Sequence, residues 1–106
     1  MKLHEMARYL SKMQILRGPG YSGSWVDAII DGYYVTAKVF SNPSMFGINS
    51  GRISKLTVVA DTEWNYDKIV VNYDRGWDIG RDFPGLDSIV SQLENYAKDL
   101  PPPPPA

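Results

Sequence analysis

The chain predicts a two-layer α+β domain: a four-stranded, mainly antiparallel sheet with an N-terminal and a C-terminal helix on one face, in the order α-β-β-β-β-α. Three observations predict it. Apolar side chains recur every three or four residues near both ends, two β-rich runs meet at Asp31-Gly32, and two further apolar runs follow in the middle of the chain. A length of 106 residues leaves room for one domain and one core.

Residues 2–16 carry Leu3, Met6, Ala7, Leu10 and Met13 on one helical face, and Gly18-Pro19-Gly20 stops that helix. Next, residues 24–40 read as a hairpin, because an Asp-Gly pair suits a two-residue turn whose central positions need positive φ. That turn sets Ile30 opposite Tyr33, Ala28 opposite Val35 and Val26 opposite Ala37. One face then holds Val26, Ala28, Ile30, Tyr33, Val35, Ala37 and Val39. The other holds Trp25, Asp27, Ile29, Tyr34, Thr36, Lys38 and Phe40. A long loop over 41–51 follows, with Met45 and Phe46 as apolar tips. Strands are expected over 52–60, with Leu56, Val58 and Ala60 on one side, and over 68–73. Arg75-Gly76 and Gly80 break the chain before a helix over 85–99. Its stripe is Leu86, Ile89, Val90, Leu93, Ala97 and Leu100, and Glu94 lies one turn from Lys98 as a helical ion pair. The prolines from Pro101 to Pro105 end it, so residues 1–100 form the expected domain and 101–106 an extended tail.

Composition removes several function classes. Cysteine is absent, which excludes disulfides and thiolate chemistry, and the single histidine, His4, excludes a zinc site of His and Cys. No cofactor or metal is expected, and His4 reads as a solvated helix residue. The apolar runs fall far short of the roughly 20 residues that span a membrane. The start of the sequence lacks a signal-peptide pattern, so a cytoplasmic location is expected. The formal net charge of −1 argues against a non-specific duplex-DNA binder. Self-association stays open.

Three constellations carry chemistry. The loop Phe46-Gly47-Ile48-Asn49-Ser50-Gly51-Arg52-Ile53-Ser54-Lys55 bares backbone N–H groups at its glycines and adds the charges of Arg52 and Lys55. It reads either as an anion site or as a connection whose glycines meet turn geometry. It is not a Walker loop, because a strand follows instead of a helix. The segment from Tyr73 to Asp82 sets Asp74 and Asp78 around Arg75 and Trp77. Paired carboxylates can do acid–base work or hold a divalent metal, as in a small hydrolase or nuclease. They can equally form ion pairs with Arg75 and Arg81. The sheet face with Trp25, Tyr34, Lys38 and Phe40 could stack single-stranded bases, meet a protein, or stabilise the hairpin by cross-strand contact. Near-zero net charge favours the protein contact. The proline tail satisfies a PxxP pattern, which any proline run does, and serves equally as a helix stop.

The block from Tyr34 through Ala37-Lys38-Val39-Phe40, then Gly47-Ile48 and Gly51-Arg52-Ile53-Ser54-Lys55-Leu56, with Tyr73-Asp74-Arg75-Gly76-Trp77 after it, resembles an uncharacterised family of short proteins from Gram-positive bacteria and their phages. The resemblance covers roughly residues 25–79. It implies a context and assigns no activity to any residue: accessory proteins of mobile elements often occupy a host protein or sequester a signalling molecule of host defence. The expected function is therefore a non-enzymatic binding protein of phage or mobile-element type, engaging a host protein or a small anionic, nucleotide-like ligand. The metal-dependent hydrolase on Asp74 and Asp78 and the single-strand nucleic-acid binder are the alternatives.

Overall fold

A computed structural model of the protein describes residues 13–105. It contains strands β1 (Gln14–Arg17), β2 (Ser24–Ile30), β3 (Tyr33–Val39), β4 (Ile53–Val59), β5 (Ile69–Asp74) and β6 (Trp77–Ile79), then helix α1 (Leu86–Ala97). The strands form a six-stranded antiparallel meander in chain order, with α1 across one face.

The centre of the sheet follows from the hairpin. Asp31 and Gly32 have φ of 53° and 84°, the two positive values that such a turn requires. Ile30 pairs with Tyr33, Ala28 with Val35 and Val26 with Ala37, the expected register. Val26, Ala28, Ile30, Val35, Ala37 and Val39 are buried, and Leu56, Val58, Val71 and Tyr73 continue that face across β4 and β5. Helix α1 closes it with Leu86, Ile89, Leu93 and Ala97. The turn is also tied to the helix: Asp31 accepts hydrogen bonds from Ser88 Oγ (2.6 Å) and Gln92 Nε2 (3.0 Å).

The expected four-stranded sheet with two helices on one face is corrected to six strands and, among the described residues, one C-terminal helix. Residues 14–17 are strand β1, where the helix was expected to run to residue 16; residues 1–12, with Leu10 and His4, lie outside the described part. β1 is an exposed edge strand. With no buried face it needs no alternation, so its sequence carries no strand period. A bulge between Ile15 and Arg17 interrupts its ladder, a device that blunts sheet edges. The sixth strand arises because Arg75-Gly76 is a reversal and not a break: Arg75 takes φ of 56° and the chain returns as β6. Within β4 the register shifts between Val58 and Val59, so Val59 is buried and Ala60 is exposed, against the expected side for Ala60.

After α1, Pro101 continues the fold through its carbonyl, which accepts from Ser22 N (2.7 Å). The other prolines through Pro105 are exposed. Among the described residues, no helix is long and apolar enough to cross a membrane.

Candidate interaction surface

Because α1 covers one side of the sheet, every second residue of β2–β5 faces outward on the other. Cross-strand pairing aligns these into rows. One row runs Trp25, Lys38, Lys55 and Asp74. Lys55 Nζ lies 5.8 Å from the Trp25 ring centre and 3.7 Å from Asp74 Oδ1. Lys38 Nζ stands 6.0 Å from the Phe40 ring, and Arg75 Nε approaches Asp74 Oδ1 at 3.5 Å. Trp25 remains 49% exposed. The next row runs Asp27, Thr36, Thr57 and Asn72.

Tyr34 belongs to a third row, beyond Asp27, and packs edge-on against Trp64 at 6.2 Å. Burial and the neighbouring Asp27 carboxylate raise its phenol pKa above the tyrosine value, and Arg17 pulls the other way. Trp64 belongs to the β4–β5 connection. With Tyr66 it walls a cleft of about 440 Å³, floored by Thr57 and Asn72 and bordered by Ile69, Asp78 and Ile79. Thr57 Oγ1 donates to Asn72 Oδ1 (3.0 Å), and Asn72 Nδ2 donates to Asp78 Oδ2 (3.2 Å). Trp64 is 52% and Tyr66 77% exposed.

The 46–55 loop is divided. Gly47 and Gly51 approach so closely that a Cβ on Gly47 would strike the Gly51 carbonyl oxygen, and one on Gly51 would strike the Glu94 carboxylate. Asn49 and Ser50, both exposed, take φ of 53° and 57° between them. Arg52 binds Glu94 twice, through backbone N (2.7 Å) and Nη1 (3.2 Å), while its Nε donates to Ser41 O (2.9 Å). Glu94 thus has Arg52 as its ion-pair partner, where the helical pair with Lys98 was expected. Arg52 faces the helix, whereas Lys55 lies on the open face. The fold therefore separates the two cations that the sequence grouped.

The 73–82 segment divides likewise. Trp77 packs edge-on against Tyr73 at 5.0 Å, and the Tyr73 hydroxyl donates to the Phe46 carbonyl (2.8 Å). These join the covered side to the 46–51 loop. Asp74 lies between Lys55 and Arg75, while Asp78 meets Asn72. Arg81 is exposed. Among the described residues, no three His, Asp or Glu side chains are grouped to hold a metal ion.

The open face thus unites Trp25, Tyr34, Lys38, Lys55 and Asp74, all singled out from sequence, with five that were not: Thr57, Trp64, Tyr66, Asn72 and Ile79. The available signal for Trp64 and Tyr66 was two large aromatics in a polar turn with no periodic role to serve.

A family model described as a domain of unknown function (DUF7678) matches residues 24–95, from the first residue of β2 into the last turn of α1. The chain belongs to that family. The DUF7678 match includes the whole open face from β2 to β6, the cleft and the Arg52–Glu94 clamp, and it leaves β1 and the proline tail outside. No curated protein and no solved structure matches the chain.

Proposed function

We propose that this DUF7678 protein is a non-enzymatic binding protein, an accessory factor of phage or mobile-element type, whose open sheet face docks on a host protein. One observation carries the reading: exposed Trp25, Trp64, Tyr66 and Ile79 share the sheet face that α1 leaves uncovered. Clustered exposed aromatics on a rigid scaffold are typical anchors of protein contacts, and their desolvation on docking supplies the affinity. Binding without catalysis is supported by Asp74, which is engaged with two cations, and by Asp78, which accepts from an amide.

Affinity capture from a Gram-positive host lysate tests this. Wild type, Trp25→Ala, Trp64→Ala and a control on the exposed side of α1, Asp87→Ala, are compared after matching their melting temperatures. The expected result is a polypeptide retained by wild type and Asp87→Ala and lost by both open-face variants. A captured set indifferent to the open face overturns the reading. A second reading, a small anionic ligand at Lys38 and Lys55, is favoured by their adjacency in one row. It predicts a thermal shift with nucleotides, since a ligand at 100 times its Kd stabilises by about 2.7 kcal/mol.

A further inference from the structure

The cleft beside Trp64 has a chemical polarity of its own. Its hydrogen-bond relay is directional: Thr57 donates to Asn72, and Asn72 donates to Asp78. The relay thus ends on a carboxylate that retains acceptor capacity. Among the described residues, Asp78 is the one charged side chain lining the cleft, and no lysine or arginine forms an ion pair with it. The connection that supplies Trp64 and Tyr66 adds Asp61, Glu63 and Asp67 against Lys68, which pairs with Asp61. Among the described residues lining the cleft, no cationic side chain is present to meet an anion. A cation finds two exposed aromatic side chains and a carboxylate, beside a connection whose charges sum to net negative. The volume, about 440 Å³, is that of a small-ligand or side-chain pocket.

We propose that this cleft seats an arginine side chain of the protein partner, with the guanidinium plane against Trp64 and Tyr66 and its N–H donors on Asp78. The proposal rests on the protein-docking reading above and names what the partner presents. Arginine fits better than lysine because its ion is planar and weakly hydrated, so it can stack on a ring and still fork onto a carboxylate.

The test needs no partner. The full chain is titrated by ¹H–¹⁵N NMR with N-acetyl-arginine amide, N-acetyl-lysine amide, N-acetyl-glutamate amide and AMP. Saturable shifts are expected at the Trp64 indole N–H, the Asn72 side-chain amide and the Asp78 backbone with the arginine probe. They should be several-fold weaker with lysine, absent with glutamate and AMP, and reduced by added salt. Asp78→Asn and Trp64→Ala should each abolish saturation, with the remaining spectrum reporting an intact fold. Scattered shifts that do not saturate, an undiminished response in Asp78→Asn, or the same residues answering AMP would overturn the proposal. Failure of this titration while Trp25→Ala still loses the captured polypeptide removes the arginine seat alone. Retention of that polypeptide by every open-face variant removes the docking reading instead.

Discussion

Arg52, just before β4, is clamped to α1 by Glu94, whose carboxylate accepts from both the Arg52 backbone N–H and its Nη1. Arg52→Ala should therefore destabilise by about 1.5–3 kcal/mol, the range for hydrogen bonds to a charged group, when read by urea denaturation. Arg52→Lys should recover only part, because lysine cannot serve both Ser41 O and Glu94 from one planar fork. A variant as stable as wild type would show the clamp to be dispensable. At Tyr34 the sign of the pH effect follows from the raised phenol pKa. The folded chain holds that proton more tightly than the unfolded one. This contribution is complete below the ordinary tyrosine pKa and is lost as pH rises through the folded value. The base-side fall in melting temperature should be shallower in Tyr34→Phe.

Two elements decide whether the core closes. The β2–β3 hairpin turns at Gly32 with φ of 84°, a conformation strained for a β-branched residue. Gly32→Val should cost more than about 1 kcal/mol despite open space around its Cβ, so the loss would measure backbone strain alone. The same turn anchors α1 through Asp31, so helix and hairpin should loosen together. Helix α1 docks through Leu93, fully buried in the core. Leu93→Ala should lose about 2–5 kcal/mol, a large fraction of the stability usual for a domain of this size. A loss below that range would mean that the sheet holds its covered face without the helix.

At the scale of the molecule, an antiparallel meander pairs each strand with its chain neighbour, so most of the sheet assembles from short-range hairpins. Low sequence separation between contacts favours fast folding. The last closure is different in kind, because Pro101 O reaches back to Ser22 N at the start of the meander. Deleting residues 102–106 should leave the melting temperature unchanged. Replacing Ser22 by Ala should lower it, since Ser22 Oγ accepts from Ser41 N (2.7 Å) at a buried position. If the shorter chain melts earlier, the outer prolines contribute to the fold after all.

What could be read without coordinates was whatever repeats with a local period or depends on a local turn. Asp31-Gly32 determined the hairpin register, and the register determined which side of β2 and β3 is buried. The three-and-four spacing from Leu86 to Ala97 determined the docking face of α1. Those signals are local because backbone geometry imposes them residue by residue. Tertiary structure alone decided the rest. β1 has no buried side and β6 has three residues, so neither writes a period into the chain. The partner of Arg52 is Glu94, forty-two positions away, a choice made by where α1 crosses the sheet. The cleft likewise draws Trp64 and Tyr66 from a turn, Thr57 and Asn72 from paired strands and Asp78 from an edge. A sequence states which side chains are available. Only the crossing of strands states which of them meet.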